Sequence, residues 1–187
     1  MTPFYIFYTL ALSSIFLIAD ISGNSSGKID SVVKILSGYL ANFYLNSSTQ
    51  IAQTTSVSTS ETAIETAVCD QINQYRASRG LSPLKLEERI TREARIHSQS
   101  MASGKVPFSH DGFSQRVQAI AIPYRSSAEN VAYNRGYSDP DARAVEGWLS
   151  SSGHLRNIRG NYNLTGVGVA KNAQGVYYFT QIFVLSR

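Results

Sequence analysis

The chain has little of what usually advertises a chemistry. A single cysteine, Cys69, rules out an internal disulfide and any paired-cysteine metal site. It falls on a predicted helix face and reads as a small buried hydrophobe rather than a nucleophile. There is no His-Glu-x-x-His, no CxxC pair and no glycine-rich phosphate loop, which removes the common metalloprotease and nucleotide-binding patterns. With only three histidines, imidazole chemistry must draw on His97, His110 and His154. The basic residues stand singly rather than in a stripe interleaved with aromatics, so nucleic acid is not an expected partner.

Charge is missing altogether from Met1 to Ala19, a stretch rich in Phe, Ile, Leu and Tyr. Its length suits the apolar core of a secretory signal, or a short spanning helix of about 17–25 residues. No Lys or Arg stands at its start and no small-x-small cleavage site follows. Residues 1–20 are therefore expected to be a signal peptide or an uncleaved membrane anchor, and the protein to be secreted or held at the outer face of the membrane. Residues 21–61 are dominated by Ser, Thr, Asn and Gly. Such a composition cannot bury enough apolar surface to offset ordering entropy, and reads as a linker. Within it, Val32 to Leu45 has enough apolar residues for a short helix lying against a membrane or the domain. Residues 62–187 hold fifteen basic and ten acidic side chains, so this part carries the positive charge, mixed over a solvated surface.

The remaining 62–187 has the patterning of one domain. Ile64, Val68, Ile72 and Tyr75 recur at helical spacing and predict a helix over Glu61–Arg79, stopped by Gly80. Asn73 and Arg76 lie three apart on it and are expected to tie it to its neighbours. A second helix is expected over Leu86–Ser103, with His97 on its apolar stripe as a core histidine bonded to backbone. A turn-rich connection, Val106–Gly112, leads to a short helix over Phe113–Ile120, then a strand over Ser127–Tyr133. Asp139-Pro140 predicts the N-cap and first residue of a helix that places Val145, Trp148 and Leu149 in the core and breaks at Ser151-Ser152-Gly153. Two strands follow, Leu164–Ala170 and Val176–Leu185. Helices interleaved with a few largely antiparallel strands predict an α+β layered domain.

His110, Glu129 and His154 are suitable ligands for a divalent ion and equally suitable acids and bases near neutral pH. Their spacing alone specifies neither role. The pieces around them carry more. Ile72-Asn73-Gln74-Tyr75-Arg76, the helix Ala94 to Ala102, Phe108-Ser109-His110-Asp111, Ala128-Glu129-Asn130-Val131-Ala132, Trp148 to Ile158, Gly166 to Ala170 and Tyr178 to Phe183 occur in this order. Together they resemble the CAP superfamily (SCP/PR-1-like), in its short bacterial branch without disulfides. The resemblance implies a three-layer α-β-α sandwich with a small, largely antiparallel sheet and a surface cleft. It also implies that His110, Glu129 and His154 could hold a divalent metal, zinc foremost, with Asn130, Ser151, Asn157 and Gln181 in the cleft or supporting it. Asn73, Arg76, His97 and Trp148 take structural places. Two departures stand out. Ser151 occupies the position of a second glutamate in the eukaryotic pattern, and the arginine of His-Arg-x-Asn-Ile is displaced by one in His154-Leu155-Arg156-Asn157-Ile158.

Three functions are compatible with this. The first is an exported binding module for lipid or cell-wall material, since relatives are linked to sterol or lipid binding, signalling and defence. A metal-assisted hydrolase on peptide or wall substrates is the second, with Glu129 as ligand or general base. The third is a structural envelope protein whose cleft residues form a stabilising polar network.

Overall fold

The computed structural model describes residues 26–187. Five helices and four strands occur among them: α1 (Ser26–Ser78), β1 (Lys85–Leu86), α2 (Glu88–Ala102), α3 (Phe113–Ile120), β2 (Tyr124–Asn134), α4 (Pro140–Ser150), α5 (Ser152–Arg159), β3 (Leu164–Lys171) and β4 (Tyr177–Ser186). The chain divides into two compact units, 1–55 and 56–187. The expected signal or anchor at 1–20 lies outside the described residues.

In the second unit the strands form one sheet in the order β1-β3-β4-β2. The β2–β4 and β3–β4 pairs are antiparallel, and the two-residue β1 lies parallel to β3. Alternation along the strands separates two cores. On one face Val167 and Val169 of β3 and Phe179 and Phe183 of β4 pack with Val68 and Ile72 of α1, Val145 and Trp148 of α4, and Ile158 of α5. On the other, Ile182 and Val184 of β4 pack with Ile90 and Ala94 of α2 and Ile120 of α3. This is the expected α+β three-layer α-β-α sandwich.

Two devices hold the layers in place. The α2-side face of β3 is glycine: a Cβ on Gly166 would lie 2.2 Å from the Thr91 nitrogen, and one on Gly168 2.1 Å from the Arg95 nitrogen. Bare backbone there lets α2 lie directly on the strand. Along its length β3 outruns the short β1, and carboxylates of α1 take up the exposed amides. Glu65 accepts from Val169 N–H at 3.1 Å and Glu61 from Lys171 N–H at 3.0 Å. Glu65 is itself buried and held by Arg95 through Nε and Nη2, the latter at 2.6 Å.

Several boundaries differ from those expected. The segment read as a linker is helical from Ser26, and the helix expected over Glu61–Arg79 is the end of that element. No glycine or proline interrupts the sequence between Gly38 and Gly80, so nothing in it stops a helix. Leu86 belongs to β1, opposite Thr165, and α2 begins at Glu88; the partner that decides this lies far away in sequence. The break at Ser151 lasts one residue, which closes α4 and opens α5 with an extended backbone (φ −101°, ψ 122°). Helix α5 escaped notice because Ile158 is its one buried residue, too little for a periodic signal. Pro140 stands in the first turn as expected, but Asp139 makes no side-chain capping bond.

Candidate functional site

Gly112 (φ 77°) turns the chain out of the 106–112 connection and into α3, placing His110 just before the helix and Arg116 in its first turns. Both meet Glu129, in the middle of β2, whose side chain is 2% exposed. Glu129 Oε1 accepts from His110 Nδ1 at 2.9 Å and from Arg116 Nη2 at 2.8 Å. Its Oε2 accepts from Arg116 Nε at 2.9 Å. The guanidinium also donates to the Asp111 carbonyl at 2.7 Å, so it ties the turn, the helix and the strand together. An ionised carboxylate only accepts, so Nδ1 of His110 carries a hydrogen and, in the neutral ring, Nε2 keeps its lone pair. That ring is half exposed.

Behind His110, His97 Nε2 lies 2.9 Å from the Ser109 carbonyl, to which it must donate. Burial holds the His97 pKa below the ordinary imidazole value, and the nearby Arg116 and His110 charges act in the same sense. His154, on α5, has a lowered pKa too, through burial first and the charge of His110 second. His154 Nδ1 is buried with no hydrogen-bond partner among the described residues.

A second polar layer fixes α5 to β2. Asn157 Nδ2 donates to Asn130 Oδ1 at 2.8 Å and to the Glu129 carbonyl at 3.2 Å, and Asn130 Nδ2 to the His154 carbonyl at 3.3 Å. Trp148 Nε1 donates to the Val131 carbonyl at 3.0 Å. Beside this layer a cleft of about 290 Å³ opens between β2 and α4, its walls including Trp148, Ser151, His154 and Asn134. Phe108 and Tyr133 stand at its rim, 4.9 Å apart edge to face and both exposed.

The expected site residues therefore divide. His110 and Glu129 touch. His154, Ser151 and Trp148 line the adjoining cleft, while Asn130 and Asn157 brace it from behind. Gln181 is fully buried in the sheet and donates to Thr165 Oγ1 at 3.3 Å, away from the cleft wall. Asn73 exchanges two bonds with the Leu84 backbone, and Arg76 donates to the carbonyls of Ser82, Ile158 and Gly160. Cys69 is buried, which pushes its thiol up to about 11 and leaves it unreactive.

Arg116 went unrecognised in the sequence. A glutamate at the centre of a strand was the available signal, because a buried carboxylate needs a cationic partner. Its presence bears on the metal. The Glu129 oxygens are both engaged by a guanidinium, so a fixed positive charge already lies against the carboxylate that a cation would have to share. Among the described residues no group of three or more His, Cys, Asp or Glu side chains is arranged to hold a metal ion. With Glu129 so engaged, a three-ligand zinc centre of His110, Glu129 and His154 would require Arg116 to release the carboxylate.

Comparison with known proteins places this geometry. The family profile of the cysteine-rich secretory proteins, CAP, matches residues 69–183. The Bacillus subtilis protein YkwD is 33% identical over 136 residues, covering 70% of this chain and 51% of that protein. The B. subtilis membrane protein YlbC is 32% identical over 130 residues, 66% of this chain and 35% of the relative. The chain thus spans about half, or less, of the length of these relatives. Among solved structures, an extracellular SCP-domain protein from Bacillus anthracis superposes with a TM-score of 0.59 at 26% identity, over 67% of this chain and 41% of that one. An outer surface protein of Borrelia burgdorferi shares the fold, with a TM-score of 0.59 at 16% identity over 67% of this chain and 94% of its own. The family profile covers more than half of the chain, and the chain belongs to the CAP, or cysteine-rich secretory protein, family.

Proposed function

We propose that this is an exported binding module of the cell envelope, whose cleft between β2 and α4 holds a ligand without turning it over. The observation that carries this reading is the bidentate Arg116–Glu129 pair. A carboxylate that shares both oxygens with a guanidinium is a poor general base and a poor metal ligand, since its negative charge is already compensated by two charge-assisted hydrogen bonds with which either role would compete. What the pair does supply is a rigid, nearly neutral polar end to a cleft whose rim is aromatic. Phe108 and Tyr133 suit an apolar face of a ligand, and the His110 and His154 rings suit hydroxyl or amide groups. Lipid or wall saccharide has this mixed character. Export is supported by the uncharged Met1–Ala19 segment and by the extracellular and outer-surface descriptions of structural relatives.

Trp148 is the single tryptophan and lies in the cleft wall, so its fluorescence reports binding there directly. Titration with solubilised wall fragments and with phospholipid is expected to shift that emission for one of them, and Tyr133→Ala to weaken the response. Hydrolysis of peptide or wall substrate that disappears in Glu129→Gln would overturn the reading in favour of the hydrolase.

A further inference from the structure

The first compact unit presents a feature that the cleft does not use. Over residues 32–46 of α1 every residue is exposed. Val32, Ile35, Leu36, Tyr39, Leu40 and Phe43 are large apolar side chains within that span, with Tyr39 72% and Phe43 68% exposed. At 3.6 residues per turn they fall within an arc of about 140°, which the exposed Val33 and Tyr44 at its edge widen to about 180°. Lys34, Ser37, Gly38 and Ala41 occupy the opposite side, with Leu45 the one large apolar residue among them. A helix so divided needs an apolar partner along one face.

We infer that this face lies on a lipid surface. The chain leading into the helix argues for this occupant. Six residues, Asp20–Ser25, separate the uncharged Met1–Ala19 segment from the start of α1. Extended, they reach at most about 20 Å. An apolar segment that enters a bilayer therefore delivers the start of the helix to the bilayer surface. The stripe is about 18 Å long, too short to cross a hydrocarbon core of roughly 30 Å but suited to lying in the interface. Tyr39 is of the amphipathic aromatic type that settles at that depth, and Phe43 suits the buried face of such a helix. A second copy of the chain fits less well. A coiled-coil seam needs apolar positions sustained over about three heptads or more, whereas here Asn46, Ser47 and Gln50 follow Phe43 along the stripe. The arc is also wider than such a seam uses.

The test uses the full chain in vesicles of mixed zwitterionic and anionic phospholipid. Cys69→Ala removes the native thiol, and single cysteines at Leu36, Tyr39 or Phe43, and at Ser37 or Ala41, carry nitroxide labels. Labels at 36, 39 and 43 are expected to gain oxygen collisions and lose collisions with a water-soluble nickel chelate severalfold relative to 37 and 41. Equal nickel access on both faces would overturn the inference. Spin–spin broadening at 39 or 43 without the oxygen gain would overturn it too, and would assign the face to a second copy.

Discussion

Glu129 is nearly devoid of solvent, and its charge is tolerable because Arg116 sits against both oxygens. Removing the arginine should leave a buried carboxylate without compensation, at a cost of about 3–5 kcal/mol. Chemical denaturation of Arg116→Met is expected to fall by that order, and the double variant Arg116→Met/Glu129→Gln to recover part of it. Equal losses in the single and double variants would mean that the pair is not coupled. The histidines give a pH signature. His97 and His154 both have folded pKa values below the ordinary 6.5. Below that value the unfolded chain binds more protons than the folded one. Their contribution is therefore intact above about pH 6.5 and lost as pH falls toward the folded pKa values. The melting temperature of the wild type should drop on acidification below pH 6.5. His97→Gln/His154→Gln should show a shallower drop, since glutamine at 97 can still donate to Ser109.

At the scale of elements, the contact of α2 with β3 depends on strand positions without side chains. Gly168→Ala would place a Cβ 2.1 Å from the backbone nitrogen of Arg95, and the helix would have to lift. A loss of about 1–3 kcal/mol in urea unfolding is expected from such overpacking, whereas a neutral substitution would mean that the helix is not seated on the strand. This scale also marks how far the sequence could be read. Helices α3 and α4 and strands β3 and β4 followed from periodicity and from Pro140, because their burial is local and regular. Strand β1 is two residues long and exists only because Lys85 and Leu86 meet Leu164 and Thr165. The polar stretch before Glu61 looked like a linker because composition measures what can be buried, whereas the 39–79 stretch has no glycine or proline to stop a helix.

For the whole molecule, sequence order was more telling than any single motif. Seven modest pieces in the same order identified the sandwich, and the packing then showed which of the cleft residues touch. His110 and Glu129 come together as the resemblance implied, yet the partner that holds both oxygens of Glu129, Arg116, is a lone arginine in a short helix with no pattern around it. Only the fold brings it to the strand. The chain's character as a binding module or as a metal-assisted hydrolase turns on whether that arginine keeps Glu129 from joining His110 and His154 around a cation. Calorimetric titration of the full chain with zinc, beside the His110→Ala/His154→Ala variant, tests this directly. No one-to-one binding is expected in the wild type. A one-equivalent association that disappears in the double variant would contradict the assignment and return the cleft to metal chemistry.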